Sequence, residues 1–150
     1  MNMKFALIPM FVLGLIFSAI SAPVSAAGMV HKLAIHVDEN DKARMNMALN
    51  NAANVSSYYK SKGDTVEIEI VAYGPGLIML SEEKSPVKAR IAAMGLEMDN
   101  LTFAACGNTH RKMSKKLGHP MKLVSEAKMV TSGVVRLMEL QEGGYSYVRP

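Results

Sequence analysis

A single cysteine, Cys106, is the first constraint that the 150-residue chain imposes. One thiol cannot build an internal disulfide framework, and a zinc knuckle or a two-cysteine redox motif needs at least two thiols from the same subunit. Glycine-rich phosphate loops are missing as well. The glycines of Tyr73-Gly74-Pro75-Gly76 lack the longer, fixed spacing of a dinucleotide fingerprint or a Walker loop; they read as a tight turn that brings backbone close to a neighbour. Tryptophan is absent, and no aromatic platform interrupts the basic stretch that holds Arg111, Lys112, Lys115, Lys116, Lys122 and Lys128. Nucleic acid is therefore not an expected partner, and these charges read as a solvated helix face. Only Met45 and Met47 approach a Met-x-Met series, so thioether metal binding gives way to core filling. His31 and His36, five apart on one strand, point to opposite faces. No metal site and no cofactor are expected.

What is present begins with Lys4, an apolar run from Phe5 to Phe17 and a small-residue segment from Ser18 to Gly28. This pattern reads as a secretory signal cut after Ala26, with Val24 and Ala26 where the exporting peptidase wants small residues. The run is broken by Pro9 and Gly14 and is short for a membrane span, although an uncleaved N-terminal anchor is the alternative. No cysteine follows the run, which removes a bacterial lipoprotein anchor. The expected organisation is a signal peptide, 1–26, and one domain, 27–150, periplasmic or secreted, with no stable membrane insertion after cleavage. The leader carries only Lys4, so the remainder holds 16 basic against 13 acidic side chains. That remainder is mildly basic and long enough for one hydrophobic core.

From His31 onward, apolar runs alternate with helix-like stretches, without a repeat or a low-complexity linker. Lys32 to Val37 predicts a strand, followed by possible helix caps in Asp38-Glu39-Asn40-Asp41. Met45, Ala48, Leu49, Ala52, Val55 and Tyr59 form a helical stripe that ends near Gly63. Val66, Ile68 and Ile70 alternate with Glu67 and Glu69, which predicts a half-exposed strand nearer the edge of a sheet than its middle. Ser85-Pro86 predicts a helix start, with the helix running through Met94 and Gly95 just past its end. Leu101 to Ala105 is apolar throughout, as in a central strand, with Cys106 last. Gly107-Asn108-Thr109 opens a basic helix through Leu117. A short strand at Lys128 to Val130, a helix bearing Val134, Leu137, Met138 and Gln141, and a last strand from Tyr145 to Val148 complete the chain. The predicted class is α/β, a mostly parallel five-stranded sheet with right-handed crossovers and helices on both faces.

In open α/β sheets, ligands gather at the C-terminal ends of the strands, and Cys106 lies at such an end before a helix start. The helix dipole and free N–H groups favour a thiolate there, and Arg111, Lys112 and His110 add positive potential. The competing reading is a small buried hydrophobe, a common fate of free cysteine. Without a resolving cysteine a dithiol cycle is excluded, but one thiol suffices to carry a sulfur atom as a persulfide. Papain-like hydrolysis with His36 or His110 as base would further require an oxyanion hole and an orienting group. His36 shares the sheet edge with Cys106, either facing the thiol or as a hydrogen-bonded rim residue.

Five segments together resemble the DsrE/DsrF-like family of small sulfur-relay proteins, in particular its intracellular sulfur oxidation branch. They are His36-Val37-Asp38-Glu39; Ala48-Leu49-Asn50-Asn51 with Asn54; Ile70 through Gly76; Ala105-Cys106-Gly107-Asn108-Thr109; and the tail from Gly133 to Pro150. The resemblance implies a flavodoxin-like or DsrE-like α/β fold that assembles as a homo-oligomer, a trimer or hexamer. It also implies Cys106 as a persulfide carrier that meets a sulfur donor or acceptor protein. On the same carry-over, Asn108 and Thr109 shape the cysteine turn, while His36, Asn50, Tyr73 and Gly74 line its rim. Tyr73 stands where relatives often have histidine, and His110 where they often have an apolar residue. An export signal is unusual for a family mostly thought of as cytoplasmic, and points to a periplasmic role. A non-catalytic ligand-binding module and a purely structural oligomer are the other functions compatible with these residues.

Overall fold

The computed structural model describes residues 28–150, so the expected signal peptide, 1–26, lies outside the described residues. Five strands form one parallel sheet: β1 (Val30–Val37), β2 (Thr65–Ala72), β3 (Leu101–Cys106), β4 (Ala127–Val130) and β5 (Ser146–Val148). Their order is β4-β3-β2-β1-β5. Between them run α1 (Lys42–Ser61), a 3-10 helix (Gly74–Leu80), α2 (Lys88–Glu97), α3 (Gly107–Leu117) and α4 (Gly133–Glu142). The α/β class with helices on both faces is the one the hydrophobic pattern predicts. The order differs from that of flavodoxin, in which the first strand is flanked by the second and third; here β1 is flanked by β2 and β5.

This order decides which helix covers which face. Three successive crossovers step in one direction from β1 to β4, so right-handedness puts α1, α2 and α3 on the same side. That side holds the main core, with Ile35, Ile68, Ile70 and Phe103 against Met45, Leu49, Leu77 and Ile91. The return from β4 to β5 reverses direction and carries α4 to the other side. There Ala34, Val71 and Ala104 pack under Leu137 and Leu140. The alternation of strand side chains sorts them between the two cores.

Asp41 caps α1, its carboxylate accepting the Arg44 N–H at 2.8 Å. Gly118, with φ +76, ends α3 in the left-handed conformation that favours glycine. Gly76 meets the expectation of a close approach, because a Cβ there would lie 2.4 Å from the carbonyl oxygen of Val37.

Two sequence expectations change, and the buried face of α4 is settled. β2 is the middle strand and not near an edge; Glu67 and Glu69 alternate with apolar residues because their face is covered by α4 alone. Glu67 accepts from the Tyr145 hydroxyl at 2.9 Å, and Glu69 takes two 2.7 Å bonds from the Arg136 guanidinium. α2 starts at Lys88 and includes Gly95. Ser85 is spent on a turn, donating to the Met79 carbonyl and accepting from the Val87 N–H, while Gly95 allows the Glu126 side chain to pass within 2.9 Å of where a Cβ would stand. In α4 the buried residues are Gly133, Leu137 and Leu140, whereas Val134 and Met138 are exposed. Three- and four-residue spacing supports either face, and the seat of Gly133 on Tyr73 selects the observed one.

Candidate functional site at the β3 and β4 strand ends

After β3 the chain turns onto one face of the sheet, and after the neighbouring β4 it turns onto the other. Adjacent strands whose connections diverge leave a crevice at their C-terminal ends, where parallel α/β sheets bind ligands. Cys106 pairs with Val130 in this crevice and is buried, with 4% of its surface exposed.

Two helix starts converge on the thiol. Cys106 is the N-cap residue of α3, so the N–H groups of Asn108 and Thr109 at the helix start favour its thiolate. From the other face comes the N–H of Gly133, the first residue of α4. The Thr109 hydroxyl supplies a fourth donor. Burial pushes the Cys106 thiol up, but the Thr109 hydroxyl and the N–H groups of Gly133, Thr109 and Asn108 outweigh it and hold the thiol below its ordinary range. Glycine at 133 is what permits the approach: a Cβ there would stand 2.8 Å from the Tyr73 ring and 3.2 Å from Cys106 Cβ.

Thr109 Oγ1 also accepts the Gly74 N–H at 3.0 Å. A hydroxyl that accepts from one neighbour keeps its proton free to donate, and the Thr109 hydroxyl is among the groups that favour the Cys106 thiolate. This gives both Thr109 and Gly74 a physical role at the site. The Asn108 N–H donates to the Thr131 carbonyl at 3.3 Å, and its side-chain oxygen accepts from Arg111.

His36 lies on the same side of the sheet as Cys106 but not against it. Two strand spacings of about 4.8 Å separate β1 from β3, and Tyr73, at the end of β2, stacks on the imidazole at a centroid distance of 4.5 Å. His36 Nδ1 shares a 2.7 Å hydrogen bond with the Tyr147 hydroxyl. Its Nε2 is buried without a hydrogen-bond partner, 3.9 Å from Asp38 Oδ2. Burial pushes the imidazole down, Asp38 opposes this and Arg149 reinforces it. Burial works against ionisation of Asp38 too, yet the Arg149 bond at 2.9 Å and the neighbouring His36 keep the carboxyl below the usual carboxylate range. Burial, and then the charge of Asp38, push the Tyr73 phenol up, so it stays protonated beside the thiol.

Two expected rim residues stand elsewhere. Asn50 is on α1, on the opposite face of the sheet, where its side-chain oxygen accepts from Arg90 at 2.7 Å. The ring of His110 turns away from the sulfur, with Nε2 bonded to the Met121 carbonyl at 2.7 Å. Neither histidine is a hydrogen-bond partner of the thiol, so a Cys–His hydrolytic pair is not formed. Gly133 is the residue that sequence reasoning missed. Its signal was a glycine opening a helix directly after Thr131-Ser132. Among the described residues no group of three metal-ligating side chains occurs, and no helix is long and apolar enough to cross a membrane.

No protein-family model matches the chain, and no curated protein matches it. A solved structure that is similar belongs to a protein of unknown function from Methanobacterium thermoautotrophicum. It is 27% identical, with a TM-score of 0.67, covering 80% of this chain and 99% of the other. The likeness extends over essentially the whole of that protein and carries the five-stranded architecture.

Proposed function

We propose that this protein is an exported, DsrE/DsrF-like sulfur carrier that holds sulfane sulfur as a persulfide on Cys106. The observation that carries this reading is one thiol set where the starts of two helices meet, with the Thr109 hydroxyl and nearby N–H groups favouring the thiolate despite burial. A thiolate is the nucleophile in sulfur exchange, and its sulfur can accept one further sulfur atom. In the transfer step Cys106 attacks the outer sulfur of a donor R–S–S⁻. A new S–S bond forms as the old one breaks, and the electron pair leaves with R–S⁻, without net oxidation. The same N–H groups suit the anionic persulfide that results.

Reduced protein incubated with polysulfide, or with thiosulfate and a sulfurtransferase, is expected to gain the mass of one sulfur atom. No adduct, or an equal adduct on Cys106→Ser, rules the carrier out. Assembly as a homo-oligomer is part of the proposal, supported by Val134, Val135 and Met138 on the outer side of α4 and by Tyr147 and Val148, all exposed. Sedimentation as a monomer at high concentration contradicts it. Export is tested by the N-terminus of the mature protein, expected at Ala27.

The near-complete cover over the thiol favours a second reading, a ligand-binding rim in which Cys106 is only lining. Full retention of ligand affinity in Cys106→Ser would support that reading over transfer.

A further inference from the structure

Thr109 has a second neighbourhood besides the thiol. It borders a cleft of about 400 Å³ between the 3-10 helix and α3, floored by Pro75, Ile78 and Met113 and walled by Lys112 and Lys116. Gly74, whose N–H donates to Thr109 Oγ1, lines the same cleft. Thr109 thus borders the cleft and also acts on the thiol.

The charge of this cleft is unbalanced. α3 contains Arg111, Lys112, Lys115 and Lys116 and no acidic residue. Among the described residues neither Lys112 nor Lys116 pairs with a carboxylate. The sequence alone assigned these lysines to a solvated face. All three lysines are exposed, but Lys112 and Lys116, one helical turn apart, stand over the apolar floor, whereas Lys115 lies outside the cleft. Apolar walls with a few fixed charges are the usual make-up of a small-molecule site.

We propose that the cleft binds a small organic anion, with its apolar body on Pro75, Ile78 and Met113 and its acidic group on Lys112 and Lys116. Resting on the carrier reading above, the ligand class is an organic persulfide bearing a carboxylate or sulfonate. Its outer sulfur passes over Thr109 to Cys106, and the organic thiolate R–S⁻ departs with the electron pair of the broken S–S bond. The volume favours an organic donor over a bare inorganic sulfur anion, which would leave most of the cleft unfilled. Two cations beside a low-dielectric wall also raise the local concentration of an anionic reagent.

The test compares two thiol reagents on the full protein, neutral iodoacetamide and the aromatic dianion 5,5′-dithiobis(2-nitrobenzoate). In Lys112→Glu/Lys116→Glu the dianion is expected to react with Cys106 about tenfold more slowly or worse, from lost steering. The iodoacetamide rate should stay within about twofold, which also reports an intact fold. The control Lys115→Glu/Lys122→Glu makes the same change in net charge outside the cleft, and should slow the dianion less than about threefold. Equal slowing by both pairs, or of both reagents, overturns the proposal. If the charge-reversed protein is unfolded, Lys112→Gln/Lys116→Gln must show the same selective loss, and its absence is equally fatal. A dianion preference without any persulfide adduct would leave the cleft standing and remove the carrier; an adduct without that preference would do the reverse.

Discussion

Replacing Thr109 with valine removes one donor to the Cys106 sulfur while nearly conserving shape, and separates an activated thiol from a merely buried one. Hydrogen bonds to charged groups are worth ~1.5–3 kcal/mol. At about 1.4 kcal/mol per tenfold, the thiolate fraction at neutral pH should fall roughly 10- to 100-fold. The thiolate that remains is more basic and more nucleophilic, and a Brønsted coefficient of about 0.5 returns half of that loss on a logarithmic scale. The alkylation rate at neutral pH is therefore expected to drop by roughly 3- to 10-fold, while the plateau rate at high pH rises. The assay is the full pH profile of iodoacetamide modification, followed by mass. Thr109→Ser keeps the hydroxyl and should track the wild type.

The same substitution leaves the Gly74 N–H without its 3.0 Å partner, at a cost of about 1–3 kcal/mol for a buried donor. Urea unfolding of Thr109→Val reads that loss separately. A pH profile that superimposes on the wild type would refute the reasoning, since it would mean that the Thr109 hydroxyl does not stabilise the thiolate.

Gly133→Ala is expected to destabilise the fold by about 1–3 kcal/mol through overpacking, because the new methyl group would fall 2.8 Å from the Tyr73 ring. In moving aside, α4 would also withdraw its N–H from Cys106, so thermal melting should fall and the alkylation profile should shift to higher pH together. His36 has a folded-state pKa below its ordinary 6.5, so the unfolded chain binds the proton more readily. Its contribution is complete above about pH 6.5 and fades as pH falls toward the folded-state value, with a slope of at most ~1.4 kcal/mol per pH unit. Urea midpoints between pH 7 and 5 should fall in the wild type and fall less steeply in His36→Asn. Glu69→Ala strips Arg136 of its two 2.7 Å bonds; with Arg136 one-third exposed, the cost lies between that of a surface pair and a buried pair, about 2 kcal/mol in urea unfolding.

The order and type of the elements were legible because local signals and the global fold agree. Leu101–Cys106 reads as an interior strand from an unbroken apolar run, and Asp41 and Gly118 mark helix ends by their side-chain and backbone chemistry. What misled was partial cover. Glu67 and Glu69 give β2 the alternation of an edge strand, yet it is central, because polarity along a strand reports what lies over a face and not how many strands lie beside it. The exposed side of α4 escaped for a related reason. Val134, Leu137, Met138 and Leu140 form an apolar set wider than the strip that a single helix can bury on this sheet, and only the contact at Gly133 chooses among them.

For the site, the cysteine turn was readable because its parts are contiguous: Cys106 ends β3, and Asn108 and Thr109 open α3. The donor from Gly133 was not, since it depends on β4 being the neighbour of β3 with its connection leaving to the other face. Adjacency of this kind is a property of strand order, which apolar periodicity leaves undetermined. His36 takes the hydrogen-bonded alternative and Asn50 lies away from the thiol, for the complementary reason. Both belong to segments that resemble a family motif, but strand spacing puts Tyr73 between His36 and the thiol, and the turn of α1 gives Asn50 to Arg90. A solitary thiol that begins as a reason to exclude disulfides and metal clusters thus acquires part of its chemistry from a residue 27 positions away. Substitutions at Gly133 should therefore alter Cys106 reactivity more than substitutions at His110, the next residue after Thr109, whose ring is committed to the Met121 carbonyl.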